Sequence, residues 1–227
     1  MKTNKNFNNY ECDFLGNSYG GFPCIPSTVN ENSNVLSFGV GTDISFDQRL
    51  MRLTNCKIEL FDFTPKSILM FKHTKNTIFN EYGISDYDGM LDVFQGNPAV
   101  LSKWPTWLGF EKTESYPVKS LSTIMKEKNI DKIDLIKMDV EGEEYRVLPN
   151  MIKSNIFPTQ ICIEFHNFHL DGSIHGPEFI SKAEENNVKS HEEVFNLVLD
   201  YYDLAGRSYH KNELDNEYCF ILKKGKK

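Results

Sequence analysis

The run from Ile133 to Gly142, I-D-L-I-K-M-D-V-E-G, limits what this chain can fold into more than any other stretch. An apolar segment with alternate residues on opposite faces stops abruptly at two carboxylates, Asp139 and Glu141, followed by Gly142. A buried central strand reads this way when its C-terminal end opens into a site. In open α/β sheets the ligand crevice lies beyond the carboxyl ends of the strands. An unpaired carboxylate held away from water is costly, so these two acids face solvent or a ligand. A second reading stays open: Asp139 can cap a helix starting near Glu141.

The flanking sequence alternates strands and helices. Val35 to Phe38 is a short apolar run, followed by the glycine turn Gly39-Val40-Gly41-Thr42-Asp43. Phe46, Leu50, Met51 and Leu53 recur at helical spacing, and Lys57 to Phe61 reads as a strand ended by Asp62 and broken by Pro65. Strand, turn, helix and strand make one βαβ unit. Further on, a helix is expected over 67–75 and a strand over 77–83. The Asp88-Gly89 turn sets 90–94 into an antiparallel pair. Helices follow over 118–128 and 143–154, the latter interrupted by Pro149. A strand over 159–165, a helix over 194–202 and strands at 207–210 and 217–222 complete an α/β fold with a mostly parallel, doubly wound sheet.

Residues 1–34 form an Asn-, Gly- and Pro-rich lead-in, a candidate lid, ahead of a single domain over 35–227. An insert at about 97–116 carries Trp104 and Trp107 without a clear period, and aperiodic segments of this length tend to be functional lids. A length of 227 residues suits one such domain. The formal charge of -7 opposes a nucleic-acid surface, which needs a basic patch. The lysines at 223, 224, 226 and 227 read as a solubilising end. The five cysteines are odd in number and lack metal-ligand spacing. Met1 to Tyr10 is polar and Asn-rich, without the apolar segment expected of a signal peptide, and no apolar run approaches the roughly 20 residues of a membrane span. A cytoplasmic location is the expectation.

Gly39 and Gly41 let backbone approach a ligand closely. A dinucleotide fingerprint needs a third glycine at position 44, which is Ile44. That departure counts against a nicotinamide cofactor. It leaves room for S-adenosylmethionine, which has no pyrophosphate to cradle. Asp62, at the end of the second strand, is placed to accept the ribose hydroxyls of an adenosine, or else to cap the helix near Pro65.

Five stretches resemble the FkbM-type S-adenosylmethionine-dependent methyltransferases: Tyr19-Gly20-Gly21, S-F-G-V-G-T-D-I-S-F-D from Ser37, F-D-F-T-P from Phe61, I-D-L-I-K-M-D-V-E-G-E-E from Ile133, and I-E-F-H from Ile163. The resemblance covers about 19–222. It implies a seven-stranded, Rossmann-like class I methyltransferase with S-adenosyl-L-methionine as cofactor and S-adenosyl-L-homocysteine as product. Carried over, Gly39, Gly41 and Asp43 line the methionine end of the cofactor, Asp62 holds the ribose, and Ser85 and Asp86 lie near the adenine. Asp139 and Glu141 face the sulfonium and the acceptor, a sugar, glycan or other small polar hydroxyl compound. The chain departs from the usual pattern at Ser37, where an acid is common, and at Asp43, the place of a third glycine.

Asp139, Glu141, Glu164 and His166 are then expected at the ends of adjacent strands. His166 has the pKa range of a general base. It can equally be a structural histidine bonded to Glu164. A third reading joins Asp139, Glu164, His166 and Asn167 around Mg²⁺, and ranks below the base because a small hard cation prefers oxygen ligands. His169 and His175 read as solvated loop residues. Two other functions keep the fold: a nicotinamide-dependent oxidoreductase, against which Ile44 speaks, and a non-catalytic binding protein, against which the intact acids speak.

Overall fold

The computed structural model describes residues 3–95, 101–102, 112–166, 189–209 and 216–226. Strands β1 (Thr3–Asn6), β2 (Asp13–Leu15), β3 (Phe22–Cys24), β4 (Val35–Phe38), β5 (Ile58–Phe61), β6 (Thr77–Asn80) and β7 (Gly83–Ser85) occupy the first part. They are followed by β8 (Gly89–Gln95), β9 (Leu101–Ser102), β10 (Lys112–Ser120), β11 (Leu135–Met138), β12 (Gln160–Phe165), β13 (Tyr202–Tyr209) and β14 (Asn216–Leu222). The helices are α1 (Ser45–Thr54), α2 (Pro65–Phe71), α3 (Leu121–Lys128), α4 (Glu144–Lys153) and α5 (His191–Tyr201).

The central sheet runs β1-β13-β14-β12-β11-β4-β5-β6. From β6 to β12 every pairing is parallel, while β14, β13 and β1 are added antiparallel. The seven strands expected are present, and β1 makes the sheet eight-stranded. Its sequence, T-N-K-N, has no apolar alternation, because an edge strand docks through its backbone and tolerates polar side chains on both faces. The β2–β3 hairpin of the lead-in also joins the body. Leu15, Phe22 and Cys24 are buried in one cluster with Val35, Leu50, Leu60 and Leu135. The boundary at 34/35 is therefore not a packing boundary.

β4 and β11 are buried along their whole length, as strands covered on both faces must be. Leu36, Phe38, Ile136 and Met138 point into the cluster beneath α3 to α5, and Val35 and Leu135 into the cluster beneath α1. By alternation Ser37 and Lys137, which are register partners, share that second side.

Several local readings shift. The strand expected over 77–83 divides into β6 and β7, and β7 leaves the central sheet for a smaller one ordered β7-β10-β8-β9. The strand after Asp88-Gly89 pairs antiparallel with β10, as the turn implied. Val118 belongs to β10, and α3 starts only after Ser120, whose hydroxyl accepts from Thr123 N–H. α4 continues through Pro149, held by a buried face of Tyr145, Val147, Leu148, Met151 and Ile152. Of the tryptophan insert, residues 112–116 lie in β10. Trp104 and Trp107, like Asn167, His169 and His175, fall outside the described residues.

Candidate active site

The ends of β5, β4, β11 and β12 lie side by side, so the segments after Phe61, Phe38, Met138 and Phe165 form one rim. Gly39 has φ +67°, and a Cβ there would stand 1.6 Å from the carbonyl oxygen of Asp139. The turn after β4 thus rests backbone to backbone on the turn after β11, which only glycine permits. Gly41, at φ +52°, faces open space: nothing lies within 4 Å of where its Cβ would be. That clearance is the kind of cradle a close-lying ligand needs.

Asp62 is buried and fixes this turn. Its Oδ2 accepts from Gly41 N–H at 2.8 Å, and its Oδ1 accepts from Thr64 N–H at 2.7 Å and Thr64 Oγ1 at 2.6 Å. Ser67 Oγ donates to the Gly41 carbonyl at 2.5 Å. The N-cap position of α2 is Thr64, with Pro65 following, so Asp62 is not itself the cap residue. Three of the roughly four acceptor positions of its carboxylate are engaged, which leaves capacity for about one ligand hydroxyl.

Asp43 is tied on both oxygens, accepting from Asn17 Nδ2 at 2.5 Å and Ser45 N–H at 2.7 Å. Burial works against its charge, but the bonds from Ser45 and Asn17 and the field of Lys137 hold its pKa below the usual value. A Cβ on Gly20 would stand 2.8 Å from the Asp43 carboxylate, so the Tyr19-Gly20-Gly21 stretch closes onto this acid. Ile44 fills the core at the start of α1. Ser85, at the end of β7, donates to Glu143 Oε2 at 2.6 Å, and Asp86 lies 3.7 Å from Arg146. Ser85 is thereby joined to Glu143, just before α4, and Asp86 to Arg146 on α4.

Three residues that sequence reasoning passed over organise the centre. Lys137 is almost wholly buried in β11. Its ammonium donates to the Gly39 carbonyl at 2.9 Å and the Phe38 carbonyl at 3.4 Å, lies 3.5 Å from Asp139 Oδ2, and sits 4.9 Å above the Phe22 ring. Nearby, Asp47 on α1 is buried, and its pKa is raised by burial against the attraction of Lys137 and Ser37. A charge inside an otherwise apolar strand was the available signal for Lys137. Phe63, just past Asp62, stacks on Tyr116 with ring centroids 4.7 Å apart.

Glu144 is the third of these residues, after Lys137 and Asp47. This fully buried carboxylate accepts from Gly142 N–H at 2.7 Å, from His166 N–H at 2.9 Å and from His166 Nδ1 at 2.7 Å. His166 is therefore bonded to Glu144, from across the fold. His166 Nε2 then points to Glu141 Oε2 at 3.4 Å and Asp139 Oδ1 at 3.6 Å. Burial favours the neutral ring, but Glu144, Glu141 and Asp139 outweigh it and raise the His166 pKa well above its ordinary 6.5. The three carboxylates thus favour the protonated ring, which works against a role as proton acceptor. Asp139 is not the cap of the next helix either, since α4 begins at Glu144 with Glu143 at its N-cap. Glu141 adopts φ +53°, a left-handed conformation that a non-glycine residue holds only at a cost.

The model of the methyltransferase FkbM domain matches residues 26–201, most of the chain. The chain belongs to this family. It is an S-adenosylmethionine-dependent methyltransferase, and the nicotinamide alternative is set aside. The cofactor suits the observed rim: a glycine turn with clearance at Gly41, next to an acid at the end of β5. No curated protein matches. Among solved structures, this chain of the FkbM family is similar to a fibrillarin pre-rRNA processing protein of Methanococcus jannaschii, at 10% identity and a TM-score of 0.48 over 89% of this chain and 71% of that one. An rRNA methylase from Streptococcus thermophilus matches at 9% identity and TM-score 0.44, over 88% of this chain and 92% of that one. Aeropyrum pernix fibrillarin in complex with natively bound S-adenosyl-L-methionine matches at 8% identity and TM-score 0.42, over 87% and 69%. Among the described residues, no helix is long and apolar enough to cross a membrane.

Proposed function

We propose that this methyltransferase transfers its methyl group to a hydroxyl oxygen of a sugar, glycan or other small polar metabolite. The observation that carries this reading is the cluster of Asp139, Glu141 and His166 beside the turn that Gly39 shares with Asp139. In this reading Gly39, Gly41 and Asp43 border the methionine end of the cofactor and Asp62 takes a ribose hydroxyl. Ser85 and Asp86 bound the adenine side. Bound there, S-adenosylmethionine supplies a methyl group on a sulfonium. Its transfer to a hydroxyl forms the O–C bond, returns the C–S pair to sulfur as S-adenosylhomocysteine, and releases the hydroxyl proton. Asp139 and Glu141 orient the acceptor and take up that proton. His166, held by Glu144, fixes where those two carboxylates stand.

A net charge of -7 supports a small acceptor over a nucleic acid, whose phosphates need cationic contacts. The first test is thermal denaturation with S-adenosylhomocysteine, which should raise the melting temperature, with NAD as the control. A shift with NAD and none with S-adenosylhomocysteine would overturn the cofactor assignment. A screen of labelled methyl transfer to sugars, nucleotide sugars and RNA then tests the acceptor class, and transfer to RNA alone would overturn it.

A further inference from the structure

Among the described residues, Asp139, Glu164 and His166 each offer one ligand atom, and these atoms all lie within 4.8 Å of one another. Donors at about 2.1 Å from one ion stand up to roughly 4 Å apart, so small rotamer changes close this set. The second observation concerns the other side of the ring. His166 Nδ1 bonds the fully buried Glu144 at 2.7 Å, and that carboxylate is locked by Gly142 N–H and His166 N–H. A buried carboxylate on one imidazole nitrogen, with the other nitrogen directed at acids, is how proteins orient and strengthen a metal-binding histidine. The surroundings also call for positive charge. The carboxylates of Asp139, Glu141, Glu144 and Glu164 gather around His166, and the Lys137 ammonium lies 3.5 Å from Asp139 Oδ2.

We propose that His166 Nε2, Asp139 and Glu164 bind one divalent cation of the series from Mn²⁺ to Zn²⁺, with Glu144 as the group that orients His166. A donor set of one imidazole and two carboxylates excludes Ca²⁺, which takes six to eight oxygens, and suits Mg²⁺ poorly. The absence of a thiolate from the set disfavours soft ions. Resting on the methyl-transfer reading above, the ion gives the acceptor a chemical class: a molecule with two neighbouring oxygens, such as a vicinal diol. Both oxygens can ligate the ion beside Asp139, and ligation lowers the pKa of a hydroxyl.

The test titrates the full chain, first stripped with chelator, with Mn²⁺, following the paramagnetic resonance signal of the free ion. One saturable site per chain is expected. Glu164→Gln and Asp139→Asn should each weaken it at least ~10-fold, and Glu144→Gln by ~10–100-fold. No saturable binding overturns the site. So does binding that survives both Glu164→Gln and Asp139→Asn, each shown to be folded by circular dichroism. If one variant fails to fold, the other decides. Calorimetry with S-adenosylhomocysteine on the same protein separates this proposal from the one it rests on. Mn²⁺ binding without S-adenosylhomocysteine binding leaves the ion and removes the cofactor assignment; the reverse removes the ion alone.

Discussion

Lys137→Met is the substitution that most directly tests how this site is held together. Methionine keeps much of the apolar stem and removes the ammonium. Two losses follow. The charge-assisted bond to the Gly39 carbonyl, 2.9 Å long, disappears, and such bonds contribute about 1.5–3 kcal/mol. Asp47 is left buried with its favourable cation gone, and its Oδ1 has no well-formed hydrogen bond among the described residues. Lys137 and Asp47 are not in direct contact, so this loss stays below the about 3–5 kcal/mol that breaking a buried charge pair costs. The two losses overlap, since Asp47 can take up a proton once Lys137 is gone, so the total should stay at or below about 3–5 kcal/mol. Urea denaturation at pH 7 measures it directly. For a chain of this length the melting temperature should fall on the order of 10 °C. The Asp47→Asn partner completes a double-mutant cycle, with a coupling of about 1–3 kcal/mol expected if the two charges depend on each other. A loss below about 1 kcal/mol, or strictly additive losses, would refute the view of Lys137 as the buried counter-ion of this rim.

The glycine turn separates folding from binding. Gly41→Ala should cost the fold only ~1–2 kcal/mol for its left-handed backbone yet sharply weaken S-adenosylhomocysteine in calorimetry, whereas Gly39→Ala should fail to give folded protein. Asp62→Ala should weaken the same ligand by roughly 1.5–3 kcal/mol; unchanged affinity would remove Asp62 from the cofactor site. The pH dependence has a definite sign. Because the folded pKa of His166 is raised above 6.5, its contribution is fully present below that value and is lost as pH rises through the folded pKa. The native state keeps a proton there that the unfolded chain releases. In the presence of chelator, so that no ion displaces this proton, wild-type stability should therefore decline from near neutral into the alkaline range, and His166→Gln should flatten that decline in urea titrations across pH.

Much of the sheet was legible because its strands obey strong rules. β4, β11 and β12 are apolar runs buried on both faces, and Gly39-Val40-Gly41 marks a turn whose first position only glycine can fill. β1 was not legible, since T-N-K-N pairs through backbone bonds that leave no mark on side-chain pattern. The division of 77–83 into β6 and β7 escaped for a related reason: Glu81 and Tyr82 interrupt the strand without a glycine or proline. At the site, the terminal acids and His166 could be read as strand ends. The Glu144–His166 bond could not, because it joins residues of α4 and β12 whose approach depends on how the helix packs on the sheet.

That unread contact changes the chemistry assigned to the same residues. A histidine at the end of a strand is a free base in the sequence, with an ordinary pKa and a choice of neighbours. In the fold, Glu144 takes one nitrogen and Asp139 and Glu141 face the other, so its surroundings favour positive charge on or beside the ring. The glycine turn adds the mechanical half of the argument. Gly39 lies so close to the Asp139 carbonyl that, in the proposed reading, the cofactor side and the acceptor side share one backbone contact, and Lys137 bonds Gly39 while facing Asp139. Neither half of the rim can shift by an ångström without moving the other. That coupling is what methyl transfer between two bound molecules requires, because its rate depends on holding donor and acceptor in line.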